Sequence, residues 1–598
     1  MTAINPPATS VSPPVLRRER AARVKPHHWW LTAGLYLFFA VFLVWPIVNV
    51  VWQGFATADG QFTLEYVQLI FTNPVLVDGL VNATLIGLFT TALCVLIAMP
   101  LAMISTKFDF AGRSLFTGLL LVPLVLPPFV GAVGMRQIFG REGPLTQMAR
   151  WLGINAPLGI DWLGEYRLLG IVVVEALHLY PIMLLNLQAA LANMDPAMES
   201  AARNLGATRW TVFRKITLPL MRPGLFAGCT IVLIWSFTEL GTPLIFDFYT
   251  VTPVQVFKQI SQAANNPLPY ALIVVMLAAS TVLYLVGKVL LGRGFDAATT
   301  KAGTASTTRK LTGLPALLAL SPFVLVFLVA VIPHVSVVLT AFSGVGSWYQ
   351  SVLPNEFVTA HFGAALTDEK VSTAVTNSLL LASLATIVAI VVGLAVATIV
   401  VRSKVPGRGV IDALAMMPLA VPGIVLAFGY LAISLQFLRW FPEATAEGGW
   451  LYWLNVPEFP MVVLVLAYAA RRLPYVARSA VAGLQQTPED LELAASNLGA
   501  SKSRVLARIT VPLILANLIA GGLLAFAFAM LEVSDSLILA QREQYYPITK
   551  AIYSLSQRLG DGVYIASALG VWAMLLLTFT ILAANALLAK KMGAIFRV

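Results

Sequence analysis

Charged residues are scarce in this chain, so the few that interrupt its apolar runs stand out. Glu239, Glu532 and Asp535 close two such runs, in the segments Trp235-Ser-Phe-Thr-Glu239-Leu-Gly-Thr-Pro243 and Met530-Leu-Glu532-Val-Ser-Asp535. His178 and Tyr180 lie within a third run, and Arg471 and Arg472 within a fourth. An ionisable side chain set in hydrocarbon is costly, and it is retained for an ion or solute pathway, a proton relay or a buried pair. Glu239, Thr242, Glu532, Asp535, His178 and Tyr180 are therefore the pathway candidates. Each has a structural alternative: pairing with an arginine, capping a helix end, or hydrogen-bonded packing. Arg471 and Arg472 would pair with Glu532 or Asp535, snorkel, or favour an anionic cargo. Arg136 would snorkel to the outer interface. No nucleophile–base constellation is present, so no catalytic residue is expected. Cys94 and Cys229 stand apart, and of the five histidines only His27 and His28 are neighbours, so no metal site and no disulfide are expected.

The elements that must hold these groups follow from composition. Of 598 residues, 58% are hydrophobic and only 11% charged, against about 25% in soluble proteins. Mean hydropathy is +0.82. A soluble chain of this length would form roughly four domains with polar surfaces, which this charge content cannot cover. A soluble enzyme, a disordered chain and a nucleic-acid-binding protein are excluded, the last despite a net charge of +11, because no basic stripe with interleaved aromatics occurs. The expectation is an all-α integral membrane protein.

A bilayer-spanning helix needs about 20 mostly apolar residues. Twelve runs qualify, near 29–52, 82–106, 115–139, 168–190, 223–246, 270–292, 312–342, 377–401, 409–433, 460–484, 512–534 and 566–589. The first is long and lacks a small-residue cleavage site, so it is expected to be an anchor. With the N-terminus inside, the inner segments carry 25 Lys and Arg and the outer segments 9. That bias places both termini in the cytoplasm.

The chain also repeats itself. Asn82, Gly112, Arg113, Pro123 and Pro127 recur 295 residues later as Asn377, Gly407, Arg408, Pro418 and Pro422. Ala201, Ala202, Gly206, Pro219 and Glu239 recur after 293 residues as Ala494, Ala495, Gly499, Pro512 and Glu532. Six spans per repeat give both halves the same orientation, a parallel repeat. The expected organisation is a cytoplasmic tail 1–28, a first six-span half 29–292, a linker 293–311 and a second half 312–598. Pro123, Pro127, Pro128, Pro418 and Pro422 should break the third and ninth spans, which is tolerated where protein shields the backbone or a cavity adjoins it.

Between the fourth and fifth spans of each half lies a polar, basic segment. Asp195 and Thr487 read as N-caps, each followed by Pro, with Asp490 completing a capping box in the second copy. Gly206 and Gly499 should end a short helix. Thr208 and Ser501 should cap another that stops near Pro219 and Pro512. Arg209 and Lys502 are among the basic residues of the loops, and an interfacial amphipathic connector is the plainer alternative.

Ala201-Ala202…Gly206…Ile216-Thr217-Leu218-Pro219 and Ala494-Ala495…Gly499…Ile509-Thr510-Val511-Pro512 resemble the EAA loop of binding-protein-dependent ABC importer permeases. The family's leading Glu is replaced by Ser200 and Leu493, with Glu199 and Glu492 one residue earlier. The resemblance implies a type I importer permease fold with both halves fused. It implies that each loop docks on a cytoplasmic ATPase and couples ATP binding to rocking of the halves. Two copies of that ATPase, an external solute-binding protein and a prokaryotic plasma (inner) membrane follow as expected partners and place. No G-x-x-x-x-G-K-[ST] phosphate loop occurs in the chain, so ATP and magnesium would be bound by the partner and this chain would be no enzyme. The fused form and the Glu-Leu-Gly-Thr-Pro element resemble the ferric iron, thiamine and phosphonate subgroup, with ferric iron preferred and 2-aminoethylphosphonate or thiamine as alternatives. A twelve-span secondary transporter is the rival of another class, and a membrane enzyme or assembly factor the third.

Overall fold

The computed structural model describes residues 26–57, 59–125, 127–154, 159–160, 162, 166–291 and 308–595. The expected tail 1–28 and linker 293–311 lie mostly outside the described residues. Helices dominate, and a two-residue parallel pair, Phe108–Asp109 with Arg309–Lys310, is the one sheet among the described residues.

Ten helices are long and apolar enough to cross a membrane. Two expected spans depart from that set. The run 115–139 is broken: Arg113–Leu119 leads through a 3-10 turn at Val122–Val125 into Pro128–Ile138, with a bend of 90°. Counting that pair as one span gives eleven. The run 460–484 is the helix Met461–Gln486, which Arg471, Arg472 and Arg478 keep below the hydropathy of a simple span. The ninth run starts later than expected. Residues 408–416 form a separate helix, and Gly423–Trp440 follows after a 3-10 turn around Pro418. Proline supplies no N–H and clashes with the preceding turn, so both breaks fall at the prolines.

Three helices of each half pack side by side. In the first half they are Pro74–Lys107, Arg167–Ala192 and Leu218–Phe237. Their counterparts are Glu369–Arg402, Met461–Gln486 and Val511–Met530. The sequence repeat thus reappears as two similar bundles. The second-span helices begin some eight residues before their expected limits, because Asn73 and Asp368 cap them by accepting from Val75 N and Lys370 N, each at 3.0 Å.

The halves are joined by exchange of their first spans. Trp45–Gly54 packs on Gly423–Trp440 of the second half, and Leu314–Phe342 packs on Pro128–Ile138 of the first. Glycine permits both crossings. A Cβ on Gly134 would stand 2.5 Å from Val337 N, and one on Gly429 would stand 2.6 Å from Pro46 O. Close backbone approach at small residues is how membrane helices gain packing where burial from water offers little. Asn49 Nδ2 donates to Gln436 Oε1 at 2.7 Å, and Tyr430 OH to Phe42 O at 2.5 Å, across the same seam.

Candidate functional site

Each repeated loop is a short helix, a left-handed glycine and a second helix. In the first copy Asp195 Oδ1 accepts from Ala197 N at 2.9 Å, Pro196 opens the helix Pro196–Asn204, and Gly206 follows with φ +84°. Thr208 caps the next helix by accepting from Thr211 N at 3.2 Å. In the second copy the helix is Asp490–Asn497 and Gly499 again has φ +84°.

The second copy departs from expectation in three ways. Thr487 does not cap; its hydroxyl donates to Gly483 O at 2.9 Å, back into the preceding helix, and the N-cap position falls to Glu489. The capping box with Asp490 therefore does not form. Ser501 makes no capping bond, and its hydroxyl meets Ser503 Oγ at 3.3 Å. In both copies the second helix runs on beyond the expected stop. A single π turn, Phe213–Thr217 or Leu506–Thr510, carries it into the fifth span. Pro219 and Pro512 then sit in the first turn of the helix after the π turn, where proline is tolerated.

Glu199 and Glu492 face inward. Glu199 accepts from Lys107 Nζ at 2.7 Å and from Thr217 Oγ1 at 2.6 Å. Glu492 accepts from Arg402 Nε at 3.3 Å, while Arg402 also donates to Thr487 O at 2.8 Å. Burial would raise the Glu199 carboxyl, but the Lys107 and Thr217 hydrogen bonds outweigh it and hold it below the usual carboxylate range. Ala201, Arg209, Ala494 and Lys502 are exposed, and Ala202 and Ala495 are half-buried. The apex residues Leu205 and Leu498 are 88% and 90% exposed. Two such leucines, one per loop, present apolar surface outward at equivalent points.

Between the bundles lies a cavity of about 90 Å³. His178, Glu239 and Glu532 line it, together with Arg471, Arg472, Trp235, Ser236 and Glu175. Glu239 sits where the fifth span breaks: Leu218–Phe237 ends, and Glu239 Oε1 accepts from Gly241 N at 3.1 Å and Thr242 N at 3.3 Å at the start of Gly241–Ile245. The second half breaks alike between Met530 and Ser534. Arg471 Nη1 donates to Glu532 Oε1 at 2.8 Å, Arg472 pairs with its other oxygen, and Arg471 stands 3.8 Å from Asp535. His178 Nδ1 is 2.8 Å from Pro123 O, in the broken third span.

The other pathway candidates are buried away from the lining. Tyr180 OH donates to Leu120 O at 2.8 Å, so it packs the bundle. Thr242 and Asp535 are wholly buried behind the break. Arg136 does not snorkel freely: it donates to Asp247 Oδ2 at 2.6 Å and to Ile245 O at 3.0 Å. The sequence reading passed over Glu175, although a lone acid inside the run 168–190 was a visible signal. Among the described residues no cluster of three or more His, Cys, Asp or Glu is placed to hold a metal ion.

Known proteins are similar to this chain in sequence. The family model for the binding-protein-dependent transport system inner membrane component matches residues 27–296 and 389–593. A Haemophilus influenzae protein named, provisionally, as a ferric transport system permease is 27% identical, covering 84% of this chain and 76% of its own. The ferric transport system permease protein of Actinobacillus pleuropneumoniae is also 27% identical, over 89% of this chain and 74% of its own. The molybdenum transport system permease protein of Escherichia coli is 33% identical over 29% of this chain and 74% of its own. With the family model matched in both halves, the chain belongs to the binding-protein-dependent transport system inner membrane component family and is a multi-pass membrane permease.

Proposed function

We propose that this chain is a two-half permease of an ATP-driven importer that passes ferric iron from an external binding protein into the cytoplasm. Both termini and both loops lie on the cytoplasmic side, as the Lys and Arg bias requires. Each loop engages one copy of a separate ATPase, which binds the ATP and magnesium. The observation that carries the reading is the equivalence of the two loops: matching left-handed glycines, matching π turns, and apical leucines exposed at the same two points. Such loops suit a rigid lever between two packings.

The choice of iron is supported by the names of the relatives that align over most of this chain. Charge in the cavity agrees with it. Arg471 and Arg472 are engaged by Glu532, which leaves no guanidinium facing the cavity without an acid partner for an anion to claim.

The test is reconstitution of the chain with its ATPase in proteoliposomes. Iron-loaded binding protein on the outside should drive uptake of radiolabelled ferric iron that needs internal ATP and survives a protonophore. The purified complex should hold two ATPases per chain. Uptake that follows a proton gradient without ATP would sink the reading in favour of a secondary transporter.

A further inference from the structure

Glu175 is the one cavity-lining acid that the importer reading leaves unexplained. It stands on Arg167–Ala192, is 1% exposed, and neither carboxylate oxygen has a hydrogen-bond partner. The Ser236 hydroxyl stands beside it and makes no other hydrogen bond among the described residues. A buried carboxylate without a cation costs several kcal/mol, so such a group keeps its proton or gives it up to an incoming cation.

The repeat shows that Glu175 is not a leftover of symmetry. Pro181 and Pro474 align the two fourth-position helices at the 293 offset, which sets Glu175 against Tyr468 and His178 against Arg471. Tyr468 is satisfied by Ser536 Oγ at 2.6 Å. The two sides of the cavity therefore differ. On the second side Glu532 and Asp535 are held by Arg471 and Arg472. On the first side Glu175 and Glu239 form no ion pair among the described residues; Glu239 accepts from two backbone N–H groups and feels Arg471 only at longer range.

We propose that Glu175 and Glu239 form a transit site for a hard, oxygen-seeking multivalent cation within the pathway. Naming ferric iron as that cation rests on the importer reading above. Two carboxylates are too few for a resident metal cage. They suit an ion that must enter and then leave, since passage needs binding that is favourable but weak. On the second side two arginines already occupy Glu532 and Asp535, so those acids are not free to take the cation and the first half is left to hold it.

Terbium(III), a hard trivalent probe, tests the site directly, because Trp235 lines the same cavity and sensitises its luminescence. Terbium titrated into the purified permease–ATPase complex should give a signal that W235F removes and that E175Q weakens at least about tenfold in affinity, as loss of a charged ligand implies. E175D should recover part of it. Unchanged particle mass of the E175Q complex guards against misfolding. In proteoliposomes E175Q should import less iron per ATP hydrolysed. A terbium signal indifferent to E175Q and E239Q would overturn the site. A wild-type complex that binds terbium in this way but imports no iron would keep the site and overturn the choice of iron.

Discussion

Lys107 Nζ stands 2.7 Å from Glu199 Oε1 and so ties the cytoplasmic end of the second span to the first loop helix. Arg402 and Glu492 make the same tie in the second half. The acid of each loop is thus spent inside the permease, while the outward face is left to the apical leucines. K107M or E199Q should loosen the first loop, and a K107E/E199K exchange should recover part of the loss. Hydrogen exchange of residues 196–212 checks this, with faster exchange in the single variants only.

The same tie sets a pH dependence. The Glu199 carboxyl is held below its ordinary value by Lys107 and Thr217 against the opposing effect of burial. Its stabilisation is therefore fully present above the ordinary carboxylate pKa, about 4.3 for Glu, and is lost as pH falls through the lowered folded value. Exchange at residues 196–212 should accelerate on acidification in the wild type and show a weaker acid response in E199Q. An identical response in both would refute the role.

Gly206 and Gly499 take φ +84° with nothing near the position of a Cβ. The obstacle to a side chain there is backbone strain and not space. A β-branched residue should cost about 1–2 kcal/mol at each position. G206V/G499V together should strip the ATPase from the purified complex, measured by particle mass, whereas G206N/G499N, which tolerates the left-handed region, should retain it.

At Gly134 and Gly429 the obstacle is the reverse, since a Cβ would meet the backbone of the exchanged first span. Alanine at either should destabilise by about 1–3 kcal/mol, as overpacking does. A thermal unfolding scan in detergent should show that loss, with Gly118→Ala, where nothing lies within 4 Å, as the mild comparison.

Glu532 carries two arginines in the protein interior. Removing it alone, as in E532A, should cost about 3–5 kcal/mol because Arg472 loses its acid partner and Arg471 the nearer of its two. The quadruple variant E532L/D535L/R471L/R472L, which removes Asp535 together with its Arg471 partner, should recover much of that in a denaturation series. Equal losses in both would mean the cluster does not act as a unit.

Much of this plan was legible along the chain. The 295 and 293 offsets carried the repeat, Asp195-Pro196 and Gly206 carried the first loop, and Pro123, Pro127, Pro418 and Pro422 marked the broken spans. These are local signals: a cap, a left-handed turn and a missing N–H act on the residues beside them. Thr487 shows the limit, because its hydroxyl chose Gly483 O over a capping role and Arg402, 85 residues away, took its carbonyl.

What the sequence by itself determined was the membrane class, the repeat and the loops, since hydropathy and turn chemistry are written in neighbouring residues. Tertiary structure alone decided the exchange of first spans, because Pro46 meets Gly429 only when two distant helices cross. It alone decided that Glu239, Glu532 and His178 line one cavity while Thr242, Tyr180 and Asp535 do not. It also decided that Glu175 faces that cavity unpaired. An acid in an apolar run announces a cost, but only packing shows which charge, if any, offsets it.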